Sequence, residues 1–294
     1  MNDSDALFDM GEVLGGKPPR MAEGGRLQTK LWTKNKAALI ARYLRYFTFV
    51  TKHGTYIDAF AGPQEGGEGK WAAERVVEQT PRWLNDLVFF EKDPVKVEEL
   101  RALIGSQPAR GRGERKRKMT VIPGDTNVEL PAYLDRNPLR EKQASFALLD
   151  QRTFELHWST VEALAAAKPQ GKKIEQFYFL AEKWFGRAAA RRRTFSPEVL
   201  TAWWGNPDWG HLNEGNGFYR SDCFKKRFTE LGYKHVLPLP IYREVASQRV
   251  MFYMIHASDD ERAPQLMVRA YNRAVRPMET KEQLMLELED FMEE

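Results

Sequence analysis

Cysteine, histidine and long apolar runs are all scarce in this chain, and each scarcity removes a class of function. Its 294 residues include one cysteine, Cys223, which excludes an internal disulfide and any multi-cysteine metal or iron–sulfur site within the chain. The histidines are five and scattered. His157 and His211 are candidate general bases, but neither has a partner acid beside it in sequence, and a lone histidine is more often structural. Metal binding has no support. No run approaches the roughly 18 apolar residues of a membrane span, and residues 1–28 lack the apolar core of a signal peptide. The expectation is a cytoplasmic protein.

Charge is present in quantity but unevenly placed. The formal net charge is +4, with Arg110, Arg112, Arg115, Lys116, Arg117 and Lys118 crowded into one stretch and Arg187, Arg191, Arg192 and Arg193 into another. From Glu279 onward the chain is acidic. Basic runs usually form solvated loops. Two of them interspersed with tryptophans point to a polyanionic partner, DNA or RNA, because phosphate neutralisation supplies most nonspecific nucleic-acid affinity.

Residues 1–28, rich in Gly, Pro and charge, read as a flexible N-terminal arm. Thr33 reads as an N-cap, and Leu39, Ile40, Tyr43, Leu44 and Phe47 recur at helical spacing. Strands are expected at 55–61, 86–93, 119–123, 145–150, 173–181, 235–242 and 249–256, with helices at 94–104, 128–135, 159–167 and 223–231. This alternation predicts an α/β fold with a mostly parallel seven-stranded sheet, helices on both faces and a terminal antiparallel hairpin. The main domain spans 29–276. An irregular insertion at about 184–217 is placed to cover a site, and 277–294 forms an acidic C-terminal helix or tail.

Four successive strand ends carry an acid: Asp58, Glu91, Asp125 and Asp150. In open α/β sheets ligands bind outside the carboxyl ends of the strands, and an acid on the second strand commonly accepts both ribose hydroxyls. An acid after the third can take the amino group of an adenine. An acid after the fourth lies where a reacting substrate approaches. Four in order is the pattern of a class I S-adenosylmethionine-dependent methyltransferase. A dinucleotide site is disfavoured, since no G-x-G-x-x-G follows the first strand.

The chain also resembles a specific family, the three-Cys-motif partner proteins (TcmP). The likeness runs from about residue 29 to 276. It is carried by Thr33-Lys34, Tyr56-Ile-Asp-Ala-Phe-Ala-Gly-Pro63, Phe89-Phe-Glu91, Asp125-Thr-Asn127 and Asp150. It continues with Trp158-Ser-Thr-Val-Glu-Ala-Leu164, Gly205-Asn-Pro-Asp-Trp209, Leu237-Pro-Leu-Pro-Ile241 and Phe252-Tyr-Met-Ile-His-Ala-Ser258. The resemblance implies a Rossmann-like methyltransferase fold and a separate partner protein bearing three cysteines. Two departures fall at the expected active site. Gln64 stands where the family has glycine, and Gln151-Arg152-Thr153 replaces the proline and glycine that follow the acid. The second erases the Asp-Pro turn of amino-group methyltransferases.

The candidate roles follow. Glu91 binds the ribose of S-adenosylmethionine, Asp125 the adenine end, and Asp58, Ala61 and Gly62 the methionine portion. Asp150 and Arg152 are the catalytic candidates, Asp150 orienting the acceptor and Arg152 contacting a phosphate or carboxylate. Arg110, Arg112, Arg115, Lys116, Arg117, Lys118, Arg191, Arg192, Arg193, Trp203 and Trp204 are the nucleic-acid candidates, with the tryptophans as stacking platforms. Each has a plainer alternative: a solvated strand-end acid for Glu91, a turn cap for Asp150, a surface ion pair for Arg152, insertion packing for the tryptophans. The function expected is methylation of nucleic acid or of a partner-bound substrate. The alternative is a catalytically inactive methyltransferase-like subunit that binds nucleic acid or protein.

Overall fold

A computed structural model describes residues 27, 30–32, 35–63, 71–108, 117–180, 185, 196–243, 250–277, 280–285 and 288. In chain order these form β1 (Leu31–Trp32), α1 (Lys36–Thr51), β2 (Thr55–Asp58), α2 (Ala72–Val77), β3 (Asp86–Glu91), α3 (Pro94–Gly105), β4 (Lys118–Pro123) and α4 (Thr126–Arg136). Then come β5 (Ser145–Leu149), α5 (Trp158–Ala166), β6 (Glu175–Leu180), α6 (Pro197–Trp204), a 3-10 turn at Trp209–Asn213, α7 (Gly217–Glu230), β7 (His235–Tyr242), β8 (Val250–Ser258) and α8 (Ala263–Arg273).

All the strands join one sheet in the order β1-β7-β8-β6-β5-β2-β3-β4. Neighbouring pairs run parallel except for β8, which is antiparallel to both β6 and β7. The seven expected strands and the terminal hairpin are therefore present. The eighth strand, β1, was not expected: two residues, Leu31 and Trp32, pair with Ile241 and Tyr242 and carry too little pattern to read as a strand. Pro238 and Pro240 stand on β7 just before the two residues that pair with β1.

The period of two along each strand divides the interior. In β5, Phe146 and Leu148 join one core, packed under α1 and α8, while Ala147 and Leu149 join the other, packed under α5, α6 and α7. Strands buried on both faces read as continuous apolar runs, which is why β5 was legible. Besides β1, three helices were not. Helices α2 and α8 lie where no element was assigned, and α6 falls inside the stretch read as irregular. Helix α6 starts after Ser196 with Pro197 in its first turn and ends at Gly205 in a left-handed conformation, a regular start and stop. Thr33, expected as the cap of α1, lies outside the described residues; Asn35 stands at the helix start. In the acidic C-terminal stretch Leu284 and Leu288 are buried in the first core, so that part of the chain is packed.

Candidate active site

Parallel strands β2, β3, β4 and β5 deliver their carboxyl ends to one rim, where a cleft of about 170 Å³ is lined by Phe60, Gly62, Glu91, Asp125, Asp150 and Arg152. A larger cavity, about 370 Å³, opens at the opposite rim, beside Ser145 and Glu175 at the starts of β5 and β6. The loops that carry chemistry in such sheets leave the carboxyl ends, so the smaller cleft is the candidate site.

Glu91 ends β3 and is fixed from two sides. The amide of Gly62 donates to its Oε2 at 2.9 Å and the amide of Asp93 to its Oε1 at 2.9 Å. Gly62 is required for this approach, since a Cβ there would sit 2.3 Å from Glu91 Oε2. Each oxygen of a carboxylate can accept twice, so a second acceptor position remains on each. Two such positions side by side match a vicinal diol.

Asp125 lies in the cleft but also caps α4: its Oδ1 accepts from Asn127 N at 2.8 Å and Asn127 Nδ2 at 3.0 Å. Asn127 is a residue that sequence reasoning passed over, although it stood inside a quoted motif. Its Nδ2 also donates to Glu155 O at 2.9 Å, and its Oδ1 accepts from His157 N at 2.8 Å and Thr160 Oγ1 at 3.1 Å. One amide thus fastens the segment 155–160 against α4.

Asp58 differs from its expected role. It is 1% exposed and is not among the cleft-lining residues; its carboxylate accepts from Tyr56 Oη at 2.8 Å and Phe60 N at 3.2 Å. Burial pushes its pKa up to about 7, against the hydrogen bonds from Tyr56 and Phe60, which lower it. Ala61 is likewise buried, while Ala59, Phe60 and Gly62 form the cleft wall.

Asp150, at the end of β5, is buried and holds Lys36 of α1 through both oxygens, at 2.8 and 2.7 Å from Nζ. The ammonium also stands over the rings of Phe179, at 5.1 Å, and Phe252, at 5.7 Å. Lys36 was not expected here, since nothing in the sequence ties position 36 to position 150. Gln151 is spent structurally: its Nε2 donates to Phe179 O at 3.0 Å and its Oε1 accepts from Leu156 N at 2.8 Å. Arg152 is exposed on the rim, with its backbone N–H donating to Glu155 Oε2. Gln64 lies outside the described residues.

The nucleic-acid candidates separate. Trp203 and Trp204 are buried, 1% and 5% exposed, among Phe154, Phe185 and Phe224, so neither offers a face to a base. Trp204 instead stacks on the Arg227 guanidinium, which lies between it and Trp158 at 4.4 and 4.0 Å. Arg117 donates to Val77 O at 2.9 Å and Val76 O at 3.3 Å, closing the end of α2 rather than facing a ligand. Lys118 is exposed at the start of β4. Arg110, Arg112, Arg115, Lys116, Arg191, Arg192 and Arg193 lie outside the described residues. Among the described residues no group of three or more His, Cys, Asp or Glu side chains could hold a metal ion, and no helix is long and apolar enough to cross a membrane.

Numbering the strands from β2, the sheet order reads 3-2-1-4-5-7-6 with the seventh antiparallel. This defines a Rossmann-like α/β protein of the methyltransferase type, with one short strand added at the edge. No family model matches the chain and no curated protein matches it in sequence. Among solved structures it is similar to the methyltransferase domain of bacterial CtHen1, at 13% identity and TM-score 0.43, over 77% of this chain and 100% of that one. It is also similar to the CurJ carbon methyltransferase, at 12% identity and TM-score 0.45, over 76% of this chain and 54% of that one. A third is Trm1 from Pyrococcus horikoshii in complex with S-adenosyl-L-methionine, at 12% identity and TM-score 0.41, over 83% of this chain and 62% of that one.

Proposed function

We propose that the protein is an S-adenosylmethionine-dependent methyltransferase acting on nucleic acid or on a partner-bound substrate. The observation that carries this reading is the Glu91 carboxylate, set at the end of the second parallel strand by the amides of Gly62 and Asp93 with one acceptor position left on each oxygen. That donor-seeking pair fits the two ribose hydroxyls of the cofactor. Asp125 lies where the adenine amino group would donate, and the chain at Gly62 lines the methionine end. When bound, the cofactor supplies an electrophilic methyl group. The residues of this chain supply orientation and exclusion of water, which carry much of the acceleration of a displacement. The resemblance to three-Cys-motif partner proteins supports a second polypeptide as partner, and the cytoplasm is the compartment we assign.

The test is calorimetric titration with S-adenosylmethionine and S-adenosylhomocysteine, beside Glu91→Ala. Micromolar binding that the variant loses is the expected result; no heat at millimolar ligand sinks the reading. In that event the inactive binding-subunit alternative stands, and the replacement of the Asp-Pro turn by Gln151, locked at both ends of its amide, is what favours it. Nucleic-acid affinity is expected to fall steeply as salt rises, because phosphate contacts release counterions. A flat salt response removes the polyanion from the proposal.

A further inference from the structure

We propose that the cavity at the opposite rim of the sheet is a second ligand site, and that it takes a free amino acid, with its ammonium on Glu175 and its carboxylate on Lys168. Both residues line the cavity of about 370 Å³, which lies between the end of α1 and the starts of β5 and β6, and neither lines the cleft of Glu91 and Asp150. Both are also buried, Glu175 at 8% exposed and Lys168 at 5%. Lysines and glutamates this deep are almost always paired. Among the described residues these two do not pair with each other, and Lys168 pairs with no other carboxylate. Its Nζ donates once, to Gln143 O at 2.7 Å, so two of its three donors remain. Glu141 and Asp259 are near enough to favour its charge, yet burial outweighs them and draws the lysine pKa down. Glu175 meets Tyr43 Oη at 2.5 Å and His256 Nε2 at 3.0 Å through Oε2 alone, and its Oε1 has no partner among the described residues.

An ammonium and a carboxylate that share one cavity without meeting call for a ligand of the reverse polarity at its two ends. An anion alone would leave Glu175 without a counter-charge, and a cation alone would leave Lys168 so, each at the cost of a buried, uncompensated charge. The hydroxyls of a sugar could satisfy either group as a hydrogen-bond partner, but they bring no charge. Hydrogen bonds to ionised groups are roughly twice as strong as neutral ones. A free amino acid brings both charges in one small molecule, and Phe47 and Val50 offer its carbon part an apolar wall. The cavity volume is that of a small-molecule site.

The experiment uses the full chain without cofactor and the standard L-amino acids, added one at a time at millimolar concentration. A ligand of the folded state raises the thermal midpoint. Each amino acid that does so is then titrated calorimetrically beside its amide and its N-acetyl derivative. At least one should bind, and removing either charge from it should weaken binding at least about tenfold, the worth of a hydrogen bond to a charged group. Lys168→Met should bind acid and amide alike, and Glu175→Gln should bind the free and the acetylated amine alike. The native chain gives a second reading that needs no variant: the bound amino acid should slow amide hydrogen exchange at residues 141–145 and 168–175 and leave 59–62 and 91–93 unchanged. Four results overturn the proposal: no binding by any amino acid, equal binding of charged and capped forms, a preference that survives in both folded variants, or protection at the cleft instead. None of these readings involves the cofactor, so the methyltransferase reading stands or falls apart from them.

Discussion

The Gly62 amide and the Glu91 carboxylate are in direct contact, and the hydrogen bond between them occupies the space that any side chain at position 62 would need. Gly62→Ala places a methyl carbon 2.3 Å from Glu91 Oε2 and 2.8 Å from Lys96 Cδ. Both obstacles are ends of flexible side chains, so the fold adapts while the carboxylate leaves its position. Stability should change by no more than about 1 kcal/mol, and cofactor affinity should fall at least about tenfold, the worth of one charge-assisted hydrogen bond. Urea titration and calorimetry on one sample test both halves. Unchanged affinity would show that the fixed carboxylate is not the ribose contact.

The buried Asp58 gives the fold a pH dependence of defined sign. Its folded pKa of about 7 lies above that of an unfolded aspartate, because burial disfavours the charge. Between roughly pH 4 and pH 7 the native carboxyl keeps a proton that the unfolded chain has released. Stability from this group is therefore full below about pH 4, is lost as pH rises toward 7, and is constant above. The loss is of the order of 4 kcal/mol. Asp58→Asn cannot titrate, and its amide can donate to Tyr56 once that hydroxyl turns. The stability of the variant relative to native should rise between pH 5 and pH 8 in urea titrations; a difference that is flat or falls with pH would refute the assignment.

Away from the cleft, Glu175 is buried with its Oε2 shared between Tyr43 Oη at 2.5 Å and His256 Nε2 at 3.0 Å. Tyr43→Phe removes one donor from a carboxylate that water reaches poorly. The expected cost is about 1–3 kcal/mol, read from urea midpoints, with cofactor binding unchanged because this network lies at the other rim.

The burial of the tryptophans makes a prediction opposite to the one the sequence suggested. Trp203→Ala should destabilise by about 3–5 kcal/mol, the cost of emptying a large aromatic site. Polynucleotide affinity, measured where the variant is still folded, should stay within about twofold of native, since base stacking worth about 1–3 kcal/mol would cost more. A larger loss would mean that the ring reaches the ligand.

Much of the fold was legible because strands covered on both sides must be apolar throughout. The runs at Phe146–Leu149 and Phe177–Leu180 carry that signature, and the acids after β2, β3, β4 and β5 mark where those apolar runs end. Glu91, Asp125 and Asp150, each at a strand end, line one cleft. Asp58 was misplaced because two positions of a strand look alike in sequence, while only three-dimensional packing decides that Tyr56 takes the carboxylate inward. Lys36 was invisible. Its partner is 114 residues away, and a lysine in the first turn of a helix reads as solvated. Trp203 and Trp204 were misread because rings among glycine and asparagine suggest a loop, whereas Leu200 and the two rings form the buried face of α6.

The Lys36 contacts also order assembly in time. The ammonium belongs to the first described helix, yet the rings it stands over, Phe179 and Phe252, sit on β6 and β8, and β8 is the last described strand. A chain that has not yet paired β8 already owns all four strand-end acids, Asp150 for this lysine among them, but lacks the Phe252 ring beside its ammonium. This corner of the sheet is thus complete only when the last described strand is in place, although all four strand-end acids precede it in the chain.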